Sequence, residues 1–236
     1  MNLTGQTALV TGGSKGIGRA ICLALARAGA NVVFAARDEN RIRETIEELK
    51  GMSGKALAVK PDVRYEEDVK NLISKAVDEF GRLDILVNNA GAAYRKRLED
   101  TTQKEYDEIM DTNVKGIFLC TKYAIPYIRK SNNGKIVNIS SGAGLHGIPE
   151  LSIYCASKSG VISITQSIAP ELEGEIKVYA ICPGGVDTDM YKSLFGHKPQ
   201  LKPEHIAKKV LELVSPDSKV PSGKIIEVYA PPVPQF

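Results

Sequence analysis

Tyr154 and Lys158 stand four residues apart in Ser152–Leu172, a stretch whose spacing predicts a helix. Both side chains then project from one face of it. A phenol with a pKa of about 10 is a poor base at neutral pH, and a neighbouring ammonium favours the phenolate and lowers that value. Each unit of change is about 1.4 kcal/mol, so two to three units are within reach of one lysine and a positive cofactor ring. The chemistry this suits is acid–base work by a tuned tyrosine. The spacing alone is common in helices. Its weight comes from what precedes it, the run Lys135-Ile-Val-Asn-Ile-Ser-Ser141 and a loop rich in small residues. That run reads as a strand, and the carboxyl end of a parallel strand is where such a sheet delivers reactive groups.

A second motif lies near the start, Thr11-Gly-Gly-Ser-Lys-Gly-Ile-Gly18. Glycines at 12, 16 and 18 remove side chains where the backbone must turn sharply and approach a ligand. The helix that follows offers unpaired N–H groups and a positive dipole end to a pyrophosphate. A tight turn alone would select the same glycines; placement between a strand and a helix favours a dinucleotide site. The next strand ends Phe34-Ala-Ala-Arg-Asp38. A site for NAD usually sets an acid at this strand end for the ribose 2′-hydroxyl, whereas Arg37, aided by Lys15, suits the 2′-phosphate of NADP(H). Arg37 also reads as a solvated surface charge, and Asp38 as the cap of the following helix.

The elements around these motifs alternate from end to end. Strands are predicted over Thr7–Val10, Asn31–Ala35, Ala56–Lys60, Asp84–Val87, Lys135–Ile139, Lys177–Ile181 and Lys224–Tyr229. Helices are predicted over Ile17–Ala28, Glu39–Lys50, Tyr65–Phe80, Thr102–Arg129, Ser152–Leu172 and Pro203–Val214. Pro126 is expected to kink or shorten the end of the fourth. Such alternation calls for an α/β fold: a single-domain, doubly wound parallel sheet of the Rossmann type, about seven strands with helices on both faces. Reversal of the strand order opens a ligand crevice at the carboxyl ends. The domain is read as residues 1–229, and 230–236, rich in proline, as an extended tail.

With 236 residues, 43% of them hydrophobic and 25% charged, the chain can bury a sizeable core. No run approaches the roughly 18 apolar residues of a membrane span. The N-terminal residues do not read as a secretory signal. A net charge of +3 without a basic, aromatic-interleaved stripe argues against nucleic acid. Cys22, Cys120, Cys155 and Cys182 form no C-x-x-C pair and read as reduced core thiols of a cytoplasmic protein. The three histidines, His146, His197 and His205, are scattered, so no metal site is expected.

Together the motifs resemble the short-chain dehydrogenases/reductases over nearly the whole chain. The resemblance rests on Thr11–Gly18, Asp62-Val63, Asn88-Asn89-Ala90-Gly91, Asn113 in Thr-Asn-Val-Lys-Gly, Ile136–Ser141, Tyr154–Lys158, and Pro183-Gly184 with Thr188 in Val-Asp-Thr-Asp-Met. It implies that Tyr154 exchanges the proton with the substrate oxygen and that Lys158 lowers the tyrosine pKa and bonds the nicotinamide ribose. It implies further that Ser141 holds the substrate oxygen and that Asn113 steadies a relay water. The family's gap of thirteen residues to the tyrosine implies Ser141 rather than Ser140, which then reads as structural. Asn113 also reads as a helix-bend residue. For the cofactor, the resemblance implies Gly12, Ser14, Lys15, Gly16, Ile17, Gly18, Arg37, Asp62, Val63, Asn89, Ala90, Gly91, Tyr154, Lys158, Pro183, Gly184, Val186 and Thr188.

The plan is most similar to the 3-oxoacyl-(acyl-carrier-protein) reductases. That implies an NADP(H)-dependent oxidoreductase interconverting a carbonyl and a secondary alcohol, with an acyl thioester on an acyl carrier protein as the leading substrate. Enzymes of free sugars, polyols, steroids or small ketones remain alternatives, as does a non-catalytic NADP(H)-binding regulator or scaffold. Arg95-Lys96-Arg97 and Arg129-Lys130 offer a basic rim for an acidic carrier, whereas Glu171-Leu-Glu-Gly-Glu175 opposes one. Leu145, His146, Ile148 and Leu151 are expected in the substrate wall, and Met190–Pro203 reads as a short covering segment. The family's Asp-Gly-Gly ending is absent here. By analogy with the family, a homotetramer or homodimer is expected.

Overall fold

The computed structural model describes residues 1–230. The expected tail, apart from Ala230, lies outside the described residues. Seven strands form one parallel sheet: β1 (Thr7–Thr11), β2 (Asn31–Ala35), β3 (Ala56–Val59), β4 (Ile85–Asn88), β5 (Gly134–Ile139), β6 (Ile176–Pro183) and β7 (Ile225–Val228). Their order is β3-β2-β1-β4-β5-β6-β7. The order reverses between β1 and β4, so the crevice of a doubly wound sheet opens at their carboxyl ends.

Alternation along each strand sorts the side chains into two cores. Ala8, Val10, Val32, Phe34, Ile85, Val87, Val137 and Ile139 face one side. There they pack with α1 (Gly16–Arg27) and α8 (Pro203–Val214), which also pack on each other. Leu9, Val33, Leu86, Ile136 and Val178 face the other side. Residues of α3 (Glu66–Phe80) and α5 (Gly116–Ile128) cover them. Both faces are therefore apolar, which is why the strands read as continuous hydrophobic runs. At the amino ends of the strands, Asp84 is fully buried and ties them together. Its carboxylate accepts from the Thr7 N–H (2.8 Å), from Arg82 (2.8 and 2.6 Å) and from the Ser131 hydroxyl.

Two helical segments differ from expectation. The predicted helix over Thr102–Arg129 is three pieces: α4 (Gln103–Met110), a π-helical turn over Asp111–Lys115, and α5. The wide turn closes with the Gly116 N–H donating to the Asp111 carbonyl. It lets Asn113 turn inward and Gly116 pack on Val63, where a Cβ would lie 3.0 Å from the valine Cγ2. Pro126 sits near the end of α5, which stops at Ile128. The covering segment contains a helix the sequence reading left out, α7 (Asp189–Phe195). Thr188 caps it by accepting from the Tyr191 N–H (3.2 Å), and Gly196 ends it in the left-handed conformation (φ 71°).

Candidate active site

The glycine turn joins β1 to α1. A Cβ on Gly18 would lie 2.2 Å from the Gly12 carbonyl oxygen and 2.4 Å from Asn89 Nδ2, so only glycine fits. Gly16 takes a left-handed backbone (φ 52°) that side chains disfavour. Asn89 fixes the turn from the end of β4, its Nδ2 donating to the carbonyls of Thr11 (2.9 Å) and Gly12 (3.1 Å). The N-terminus of α1 has no side-chain cap and no acid in its first turn. Its free N–H groups and positive dipole end therefore face an open cavity of about 630 Å³. That is the donor set a pyrophosphate needs, and the cavity suits a dinucleotide.

The cavity runs from this turn along the end of β2 to the catalytic candidates. Gly12, Ser14, Lys15, Gly16, Ile17, Arg37, Asp62, Val63, Asn89, Ala90, Gly91, Thr188, Tyr154 and Lys158 share its wall. Gly18, Asn113, Ser141, Pro183, Gly184 and Val186 are not part of that wall. Gly184 donates its N–H to the Val228 carbonyl (2.9 Å) and packs under Tyr229. Val186 is buried and bridges to Leu201.

At the adenosine end, Asp38 caps α2 (Glu39–Leu49), accepting from the N–H groups of Asn40 (3.0 Å) and Arg41 (3.1 Å). Arg37 is 66% exposed on its side chain and lies 3.6 Å from Asp62. It is thus an exposed cation lining the cavity with a long contact to its one partner. Asp62 is gripped by Arg64 (2.6–3.0 Å), which holds its carboxyl below the usual carboxylate range. Arg41 also lines this wall, with Nη1 donating to Asp189 at 3.0 Å. The sequence reading missed it, although a cation in the first turn after the β2 end was a visible signal.

At the other end, α6 (Ser152–Glu171) carries Tyr154 and Lys158. The lysine is buried, and Nζ donates to the Ile139 carbonyl at the end of β5 (2.9 Å). Nζ stands 5.8 Å from the Tyr154 ring centroid. Burial lowers the Lys158 pKa from 10.5 to about 8. Burial also raises the Tyr154 phenol, opposed by a hydrogen bond from the Ser141 hydroxyl.

Ser140 Oγ donates to the Lys158 carbonyl (2.8 Å), a scaffold bond, while Ser141 Oγ accepts from the Ala143 N–H (3.1 Å) and faces the phenol. Asn113 is fully buried in the π turn. Its Oδ1 accepts from the Ala92 N–H (2.8 Å). Its Nδ2 donates to the Ala92 carbonyl and to Ser157 Oγ, both at 2.9 Å. Ser157 in turn donates to the Tyr154 carbonyl (2.7 Å), so the asparagine side chain braces the loop after β4 against the catalytic helix. Ile148, Leu151, Cys155, Leu194 and Phe195 make an apolar cluster with Tyr154, whereas His146 is exposed.

Residues 6–199 match the family model of the short chain dehydrogenases. The chain is 34% identical to a 3-oxoacyl-[acyl-carrier-protein] reductase FabG of Thermotoga maritima, over 97% of this chain and 98% of that protein. It is 40% identical to the enzyme of the same name from Staphylococcus aureus, over 80% of this chain and 78% of that one. Among solved structures it superimposes on a short chain dehydrogenase from Burkholderia cenocepacia in complex with NADP, with a TM-score of 0.90 and 30% identity. That match covers 97% of this chain and 98% of the other. No described helix is long and apolar enough to cross a membrane.

Proposed function

The chain belongs to the short chain dehydrogenase family, and from that premise we propose that it is an NADP(H)-dependent enzyme reducing the carbonyl of a 3-oxoacyl thioester to a secondary alcohol. It is an oxidoreductase of the nicotinamide-using kind. One observation carries the finer reading: Tyr154 and Lys158 share a cavity wall with the open N-terminus of α1 and with Lys15 and Arg37. The names of the relatives support the thioester, and the NADP complex of the Burkholderia protein supports the cofactor.

When bound, the nicotinamide supplies the hydride. The N–H groups at the start of α1 would hold its pyrophosphate, and Lys15 and Arg37 would meet the 2′-phosphate. Ser141 donates a hydrogen bond to the substrate oxygen and sets it against the phenol. Tyr154, kept protonated at neutral pH by burial, gives its proton to that oxygen as the alcohol forms. Lys158 orients the ribose and carries positive charge behind the phenol, which favours the phenolate left after transfer. Asn113 holds α6 in place through Ser157.

A carrier protein would approach over cations already engaged. Arg95 pairs with Glu150, Lys96 with Glu105, Arg97 with Glu99 and Arg129 with Glu175. Docking of an acidic carrier must therefore exchange these partners, and the short thioester is the core of the proposal. The proposal takes the protein to be a cytoplasmic homo-oligomer, and the four free, buried thiols accord with a reducing compartment. The test is a comparison of kcat/KM for 3-oxoacyl thioesters against free ketones and sugars, each with NADPH and NADH. Turnover of thioesters with NADPH is expected. Preference for NADH, or sugars outpacing thioesters, removes the corresponding part. Tyr154→Phe should bind NADPH normally and lose turnover by 10²-fold or more, on the order of a general-acid contribution.

A further inference from the structure

We infer that Tyr229 is a positioning residue for the oxygen-holding serine: its ring fills a slot between the loops after β5 and β6 and fixes the turn that carries Ser141. The inference rests on the roles given above to Ser141 and Tyr154, and it extends them to a residue that does not line the cofactor cavity. β7 is followed by Tyr229-Ala230, where the family has Asp-Gly-Gly. Val228 packs toward the α8 side of the sheet. Alternation turns the next side chain to the opposite face, the one that α6 covers.

The slot exists because both loops lack side chains at that point. A Cβ on Gly184 would lie 2.7 Å from Tyr229 Cδ1. One on Gly142 would lie 3.1 Å from the Tyr229 phenol oxygen and 3.5 Å from the Pro183 carbonyl oxygen. The ring thus bridges the loop that follows Ser141 to the loop that follows Pro183. The Gly184 N–H donates to the Val228 carbonyl at 2.9 Å, which ties the β6 loop to the residue just before the ring. Tyr229 is 49% exposed, so one part of it is packed in the slot and the rest meets solvent.

Ser141 depends on that packing because its own turn is slight. It caps a three-residue 3-10 turn, Gly142–Gly144, that buries only Ala143. The hydrogen bonds of so short a turn have poor geometry and do not fix it. On one side α6 supports it. The Ser159 hydroxyl donates to the Gly144 carbonyl (2.8 Å), and a Cβ on Gly144 would lie 2.7 Å from the Lys158 carbonyl oxygen. On the other side stands the Tyr229 ring. Ser141 Oγ accepts from the Ala143 N–H (3.1 Å), which leaves its proton for the phenol or a substrate oxygen. With the ring removed, the turn is held from one side only, and the serine donor moves off the place where the oxygen must sit. A donor of this kind works only at hydrogen-bond distance from that oxygen.

The experiment measures kcat, KM and NADPH affinity for Tyr229→Phe, Tyr229→Ala, Gly184→Ala and the double variant Gly184→Ala/Tyr229→Ala. The substrate is whichever of the thioesters, free ketones and sugars the unaltered protein reduces fastest. Tyr229→Phe keeps the ring and should match the unaltered protein. Tyr229→Ala empties the slot and should lower kcat by about 10- to 100-fold, as a misplaced donor does, with NADPH affinity by fluorescence titration within about twofold. The serine's hydrogen bond favours the Tyr154 phenolate, so its loss also moves the alkaline limb of the kcat profile for reduction to higher pH. A residue that merely stiffens the fold leaves that limb in place. Gly184→Ala by itself forces the ring out of the slot, so the double variant should be no slower than Tyr229→Ala. An unchanged kcat or an unmoved alkaline limb in Tyr229→Ala, a Tyr229→Phe variant as impaired as Tyr229→Ala, or losses that multiply in the double variant overturn the inference. Ser141→Ala runs in parallel. Full turnover in that variant removes the serine's role itself, whereas a loss there of roughly 10²-fold or more beside an unaffected Tyr229→Ala removes this inference alone.

Discussion

Replacing Lys158 by Met should make the cofactor-free protein more stable at neutral pH, although it should destroy activity. Lys158 is 4% exposed and its folded pKa is about 8 against 10.5 for the free side chain. A base whose pKa is lowered by folding is held more weakly by the native state than by the unfolded chain. The cost of burying the ammonium is therefore fully present below pH 8 and disappears as pH rises toward 10.5. It amounts to roughly 3 kcal/mol at pH 7, about 2 at pH 9 and about 1 at pH 10. Methionine fills a similar volume without charge but leaves the Ile139 carbonyl without its Nζ donor, a loss of about 1–2 kcal/mol. The variant should then lead by about 1–2 kcal/mol at pH 7, and the lead should vanish or reverse by pH 10. Urea unfolding of both proteins at pH 7, 9 and 10 measures this difference, in which other titrations largely cancel. Parallel stability profiles across that range would refute the claim that a charged, desolvated lysine sits behind the phenol.

Three further outcomes follow from the same geometry. Arg37→Ser should lower kcat/KM with NADPH by roughly 10- to 100-fold, the size of a charge-assisted phosphate contact, and leave the value with NADH within a factor of about two. Gly18→Ala places a Cβ 2.2 Å from the Gly12 carbonyl oxygen, so the turn must shift; titration by nicotinamide fluorescence should show cofactor binding weakened by at least about tenfold, as a displaced phosphate cradle requires. Asp84→Ala empties the buried acceptor shared by Thr7, Arg82 and Ser131. It should cost about 2–4 kcal/mol in denaturant unfolding, with cofactor affinity unaffected because the residue lies at the opposite end of the strands.

Much of the fold was legible because its causes are local. Continuous apolar runs in β1, β2 and β4 require a sheet covered on both faces, and the helical stretches between them supply the cover. The glycine turn, the pairing of Tyr154 with Lys158 and the Gly-stopped α1 depend on residues within one or two turns of each other. Even α7, within the expected covering segment, has local marks in Thr188 and Gly196. The π turn had one local mark, Asn113 within a predicted helix, but its cause is not local. Its cause is the pair of distant partners, Ala92 and Ser157, that draw Asn113 inward.

The electrostatics of the site belong to the tertiary structure for the same reason. Residue spacing shows that Lys158 can reach Tyr154. It does not show how much water both lose, and desolvation is what lowers the lysine and raises the phenol. The Asp38 cap is local and was legible in the sequence, whereas the approach of Arg37 to Asp62 depends on packing. Arg95 was read only as part of a basic rim. Its join to Glu150, Leu194 and Phe195 spans 55, 99 and 100 positions of the chain, distances that only packing closes. The sequence by itself determined which groups could do the chemistry, since residue type and short-range periodicity are written locally. Burial and long-range contact decided their protonation and their partners, because solvent exclusion is a property of the whole folded chain.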